Sequence, residues 1–208
     1  MIRHIPNMLT ASRFFMAIGF FIVMGFYNAR EAAATWPVLD VAFAIFLVGV
    51  STDVLDGWLA RKLKHMTTFG RIADPFVDKI IVCGALAYFI GDAFLRPGPD
   101  GRLENLTGWQ PWMVVLILAR ELLVTGMRSF SESHSLPFAA TASGKIKMIL
   151  QCVAICWSLF YAAHWADGPA DWTRYMRDGL IWGTTAFTAI SGMVYVQRAY
   201  LLLKMPPD

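Results

Sequence analysis

Four carboxylates sit where an apolar chain should not tolerate them. Asp53 and Asp56 are three residues apart, and Asp74 and Asp78 four apart. On helices, both spacings place the two members of a pair on one face. An ionised carboxylate at hydrocarbon depth costs ~2.5–3.5 kcal/mol or more unless it is paired or hydrated, so such groups are functional suspects by default. A short basic connector, Lys62–Phe69, joins the two segments and is expected to make them antiparallel neighbours. All four acids then converge on one small volume, where they stay ionised only with cations between them. Oxygen ligands suit hard divalent ions such as Mg²⁺ or Mn²⁺. Two ions bridged by shared carboxylates suit a phosphoryl substrate, because the pair stabilises charge on both the attacking and the leaving oxygen. Gly57 and Ala60 fall on the same side as Asp53 and Asp56 and leave room above them, while Arg61, Lys62 and Lys64 add phosphate-binding charge.

The rest of the chain must hold these groups in a bilayer. Of 208 residues, 57% are hydrophobic and only 16% charged. Soluble domains carry about a quarter charged residues, so this composition excludes both a soluble domain and a disordered chain. Spanning a bilayer core of about 30 Å takes about 20 apolar residues. Six apolar segments are expected to span: Asn7–Tyr27, Trp36 into the polar stretch Asp53–Arg61, Gly70–Ile90, Trp109–Phe130, Ala140–Ala163 and Met176–Leu203. The expected fold is therefore all-α, a polytopic membrane domain covering residues 1–208, with a short N-terminal interfacial segment. The formal charge of +3 gives no reason to expect a nucleic-acid partner. It reports topology instead. Arg3, Arg13, Arg61, Lys62, Lys64, Arg71, Arg128, Lys145, Lys147, Arg198 and Lys204 fall at one set of segment ends, which is read as cytoplasmic together with both termini. The run Phe14–Phe26 after Arg13 is read as a first span, not a cleaved leader. Cys83, Cys152 and Cys156 read as small hydrophobes on membrane helices. Asp40 and His164 read as interfacial, and most tryptophans, Trp109 among them, as interface anchors and packing. Pro75 either tilts the Asp74 carboxylate from mid-helix or sits close to a helix start.

The acidic residues carry a resemblance. Asp53-x-x-Asp56-Gly57-x-x-Ala60-Arg61, eight residues, Gly70, three residues, Asp74, three residues and Asp78 matches the signature of the CDP-alcohol phosphotransferase family at every fixed position. The six-segment plan also resembles that family over nearly the whole chain. Four further stretches resemble its bacterial-type phosphatidylglycerophosphate synthase branch. They are Ile5-Pro6-Asn7-x-Leu9-Thr10-x-x-Arg13, Asp74-Pro75-x-x-Asp78-Lys79, Ala119-Arg120-Glu121-Leu122-x-Val124-Thr125-Gly126-x-Arg128, and Gly144-Lys145-x-Lys147 followed by Gln151. Met148 departs from that branch, which has Thr after the second Lys.

The resemblance implies transfer of a phosphatidyl group from CDP-diacylglycerol to sn-glycerol 3-phosphate, with release of CMP. It further implies that Asp53, Asp56, Asp74 and Asp78 hold two divalent cations and that Asp78 is the general base. Gly57, Ala60, Arg61, Gly70, Asn7 and Thr10 would face the CDP-lipid. The acceptor phosphate needs cations, for which Arg120, Arg128, Lys145 and Lys147 are the candidates. An Arg within a span must face a polar cavity, and Glu121 is expected to pair with Arg120 or Lys79. A homodimer in the cell (inner) membrane, with the site facing the cytoplasm, is implied as well. Two alternatives remain open: another acceptor (inositol phosphate, serine or phosphatidylglycerol), or a cation transporter using the same acids.

Overall fold

In the computed structural model the chain is almost entirely helical. The structure describes residues 5–63, 68–98, 100–133, 142–166 and 171–203. Within them, the side chains of 5–11, 32–34, 53–63, 68–78, 132–133, 142–143 and 198–203 are outside the description. Six long helices follow one another: α1 (Ile5–Met24), α2 (Ala32–Leu63), α3 (Thr68–Phe89), α4 (Pro111–Ser133), α5 (Ala142–His164) and α6 (Asp171–Leu203). Their order and most of their boundaries follow the apolar runs. Pro111 opens α4, a position where its missing N–H and fixed φ cost nothing. Asp171 opens α6, where its negative charge favours the positive end of the helix dipole. That start lies five residues before the expected one. α3 begins at Thr68, so Pro75 falls in its second turn.

Among the described residues, three stretches are long and apolar enough to cross a membrane: Thr35–Thr52, Gly144–His164 and Asp171–Gln197. Shorter apolar helices cover Ser12–Met24 and Lys79–Phe89. These helices fit an integral membrane protein. Large apolar side chains also point outward, among them Phe15, Phe26, Val115, Leu122 and Ile190. In water such a surface would drive aggregation, whereas in lipid it is the required exterior.

α1 packs on α2 and α3, α2 on α5, α5 on α6 and α4 on α6, while α3 also meets α4 and α5. The core between them is filled by Phe20, Leu39, Phe46, Leu86, Phe89, Ile117, Ile155 and Leu159. The α1–α3 contact is close. Phe21 stacks on Tyr88 with ring centroids 5.8 Å apart and planes 6° apart. The edge of its ring lies over Gly84, where a Cβ would come within 2.2 Å of Cζ.

The connector after α3 is more ordered than its Gly- and Pro-rich sequence suggests. Strands β1 (Leu95–Pro97) and β2 (Leu103–Asn105) pair antiparallel, with Arg96 opposite Glu104. Thr107 then donates from Oγ1 to the Phe89 carbonyl, and Arg177 donates from Nη1 to the Leu106 carbonyl. The hairpin is thereby tied to the ends of α3 and α6. Trp109 is fully buried, and its indole N–H donates to Ser158 Oγ at 3.0 Å, the packing one of its two expected roles. At the same end of the bundle His164 Nε2 lies 2.8 Å from Asp40 Oδ1, joining α5 to α2 while both side chains remain partly exposed.

Candidate active site

The acid-bearing stretches lie on consecutive helices, Asp53 and Asp56 on α2 and Asp74 and Asp78 on α3. α2 and α3 meet at Gly49, where an added Cβ would lie 3.4 Å from Ile81 Cδ1. At about 100° per residue, positions 53, 56 and 60 share a face of α2 with Gly49. By the same count, positions 78, 74 and 70 share a face of α3 with Ile81. The side chains at 53, 56, 57, 60, 61, 70, 74 and 78 lie outside the described residues, as do those of Asn7 and Thr10. Among the described residues, no group of three His, Cys, Asp or Glu is placed to hold a metal.

Next to Asp78 the description resumes with Lys79, which opens onto a charged cluster between α3, α4 and α5. Glu121 is its hub. Arg120 Nη1 donates to Glu121 Oε1 at 3.1 Å, and the Lys147 ammonium donates to the same oxygen. Lys79 Nζ lies 4.0 Å from Glu121 Oε2. It also donates to the Glu121 carbonyl at 3.3 Å and to Thr125 Oγ1. Thr125 in turn donates to that carbonyl at 2.7 Å. Arg120, Glu121 and Lys147 are buried at 8%, 6% and 4% relative exposure. Charges buried this deeply persist only when paired, which is why Glu121 gathers cations from three helices. Among the described side chains, three cations face one carboxylate, two positive charges in excess.

α6 closes the far side. The Arg120 guanidinium lies 5.1 Å from the centroid of the Tyr195 ring. Its aliphatic stem passes over Gly192, where a Cβ would stand 3.3 Å from Arg120 Cγ. Arg120 is thus held by an ion pair on one side and an aromatic face on the other.

Of the four cationic candidates for an acceptor phosphate, the structure brings Arg120 and Lys147 together on Glu121. Arg128 and Lys145 are exposed and outside this cluster. Glu121 meets both of its anticipated partners, and Lys147 besides. The part played by Lys147 and Thr125 in fixing Glu121 went unforeseen. The i, i+4 spacing of Glu121 and Thr125 is the one local signal of it, since Lys147 arrives from another helix.

The chain was compared with known proteins. The profile of the CDP-alcohol phosphatidyltransferase family matches residues 3–190. A CDP-diacylglycerol–glycerol-3-phosphate 3-phosphatidyltransferase of Bacillus subtilis is 30% identical over 207 residues, covering 97% of each chain. One of the same name from Mycoplasma pneumoniae is 25% identical, covering 98% of this chain and 90% of the relative. A probable phosphatidylglycerophosphate synthase of Mycobacterium tuberculosis is 33% identical, covering 95% of this chain and 82% of the relative. The family profile takes in both acid-bearing helices and the Glu121 cluster, and the chain belongs to the CDP-alcohol phosphatidyltransferase family.

Proposed function

We propose that this protein is a membrane enzyme that transfers the phosphatidyl group of CDP-diacylglycerol to sn-glycerol 3-phosphate, giving phosphatidylglycerophosphate and CMP. The observation that carries the reading is the junction at Lys79. It joins the acid-bearing face of α3 to a buried cluster with two positive charges in excess. A phosphomonoester dianion is the acceptor group such a cluster suits, and serine, a zwitterion with one carboxylate and its own ammonium, suits it less. The names of relatives aligned over nearly their whole length support the same acceptor.

The four carboxylates are a donor set of oxygens alone, on helix faces that approach each other at Gly49 and Ile81. That chemistry fits hard divalent cations, and Asp53, Asp56, Asp74 and Asp78 would hold two of them, Mg²⁺ or Mn²⁺. When bound, such ions neutralise pyrophosphate charge and acidify the acceptor hydroxyl. The residues of the chain do the rest. Asp78 accepts the proton of the C1 hydroxyl. The freed oxygen attacks the β-phosphorus of CDP-diacylglycerol, the bond to the CMP oxygen breaks, and CMP leaves with that electron pair. Arg61 pairs with the pyrophosphate, Gly57, Ala60 and Gly70 leave room for the nucleotide, and Asn7 and Thr10 border the lipid from α1. Arg120 and Lys147 hold the acceptor phosphate, while Lys145 and Arg128 guide it in from the exposed side. The acyl chains stay in the bilayer.

In this reading residues 1–208 form one domain of six spans, placed in the cell membrane as a homodimer, with the site and both termini on the cytoplasmic side. An acceptor panel tests the activity. Purified protein in detergent with labelled CDP-diacylglycerol should release CMP with glycerol 3-phosphate and not with serine, inositol phosphate or phosphatidylglycerol. Release driven only by one of the others would replace the acceptor. Cation flux in liposomes without any dependence on a CDP-lipid would replace the enzyme by a transporter.

A further inference from the structure

Polar side chains in the described core generally find partners. Trp109 meets Ser158, Thr185 donates to the Ile181 carbonyl, Ser191 to that of Thr188, and Thr184 to that of Leu150. One region departs from this. Nε and Nη2 of Arg120, Nε2 of Gln151 and Oγ1 of Thr188 are buried and make no hydrogen bond among the described residues. Gln151 and Thr188 are at 2% and 0% relative exposure. Buried donors without acceptors are costly, and in native proteins each calls for an explanation.

These groups belong to one place. Lys147 reaches α4 through Glu121, and Gln151 is one turn further along the same face of α5. Thr184 of α6 is fastened to Leu150 of α5 at 3.3 Å. Thr188 is the next turn of α6, and Gly192, the turn after, carries Arg120 from α4. The three helix pairings bracket a seam between α4, α5 and α6. Its unmet groups are mainly N–H donors, so it lacks oxygen acceptors. Arg120 and Lys147 supply cations to the seam, and Gln151, one turn along α5 from Lys147, and Thr188, one turn along α6 from Gly192, supply an uncharged amide and a hydroxyl.

We infer that Gln151 reads the C2 hydroxyl of the acceptor, donating its amide N–H to that oxygen. This rests on the acceptor proposed above. In sn-glycerol 3-phosphate the phosphate is assigned to Arg120 and Lys147, and the C1 hydroxyl must reach the acid-bearing helices. The C2 hydroxyl is the polar group left over, and an amide of neutral charge is the residue to read it. The protein thereby distinguishes a glycerol phosphate from other short alkyl phosphates that fill the same cationic cluster. A site built to bond a substrate hydroxyl rejects the analogue that lacks it, because the amide is then left unpaired.

The test uses the full chain in detergent, with saturating CDP-diacylglycerol and two acceptors: sn-glycerol 3-phosphate and 3-hydroxypropyl phosphate, which lacks only the C2 hydroxyl. The wild type is expected to favour glycerol 3-phosphate in kcat/KM by about tenfold or more. Gln151→Met should bring the ratio to within about twofold by losing on glycerol 3-phosphate alone, with the KM for CDP-diacylglycerol unchanged. Gln151→Leu, which also removes the N–H donor and adds no charge beside Lys147, gives the same collapse and carries the test where the Met variant does not fold. Equal losses on both acceptors, with the wild-type ratio kept, would mark a structural glutamine and overturn the assignment. A wild type indifferent to the C2 hydroxyl would also overturn it while leaving the proposed reaction standing. A wild type that turns over neither acceptor would overturn both.

Discussion

Lys79 of α3 reaches across to α4 and places its ammonium 4.0 Å from Glu121 Oε2. That pairing joins the two halves of the proposed site. Lys79 follows Asp78 directly in sequence, and Glu121 holds Arg120 and Lys147 on its other oxygen. Glu121 thereby ties the helix that carries Asp78, the proposed general base, to Arg120 and Lys147, the proposed partners of the acceptor phosphate.

Removing that carboxylate should damage the fold as well as the site. Glu121→Gln leaves two buried cations without their counter-charge, a change that costs ~3–5 kcal/mol when a buried pair is broken. A thermal-unfolding scan in detergent should show a midpoint lower by several degrees, and the KM for glycerol 3-phosphate should rise. An unchanged midpoint would mean that the cluster is not structurally coupled.

Arg120→Ala should raise the KM for glycerol 3-phosphate at least about tenfold, from the loss of a charge-assisted contact, and leave the KM for CDP-diacylglycerol within about twofold. Arg120→Lys should rescue poorly, since an ammonium does not reproduce a planar group lying over Tyr195. Steady-state kinetics with each substrate varied in turn would separate the two constants.

The α1–α3 contact offers a purely structural check. Gly84→Ala puts a methyl within 2.2 Å of the Phe21 ring, which is already stacked on Tyr88. Overpacking of this kind costs ~1–3 kcal/mol, visible as a lower unfolding midpoint. Phe21→Leu in the same chain should recover part of it.

His164→Gln provides the contrast. Its partner Asp40 is only 2.8 Å away, yet both side chains are about a third or more exposed. Exposed pairs contribute ~0–1 kcal/mol. Stability should therefore barely change, and turnover, for which the proposed site is at the other end of the bundle, should stay at the wild-type level.

Much of this architecture was legible beforehand. The six apolar runs coincide with α1–α6, because in a chain this apolar the helix ends are set by the few polar stretches between them. The hairpin was not legible: strands as short as Leu95–Pro97 and Leu103–Asn105 are too brief to display alternation, and Gly98 to Gly101 read simply as loop. The early start of α6 at Asp171 was hidden by Arg174, Arg177 and Asp178, whose charges resemble a connector. Arg177 is in fact buried, anchored to the Leu106 carbonyl and to Asp178. In the site, Glu121 was visible as a partner for Arg120 or Lys79, but its grip on Lys147 was not. Residues 26 apart on different helices leave no trace in local spacing. Asp40 and His164, 124 apart, meet for the same reason unannounced.

If acids on α2 and α3 carry phosphatidyl transfer to glycerol 3-phosphate, as proposed, Asp78→Asn should stop the reaction without displacing the donor. One preparation serves for two readings: CMP released in the presence of CDP-diacylglycerol and glycerol 3-phosphate, and binding of CDP-diacylglycerol. Loss of a general base typically removes a factor of about 10²–10⁴, so turnover should fall by at least about a hundredfold while binding stays within a few fold of wild type. Turnover within tenfold of wild type would contradict the account.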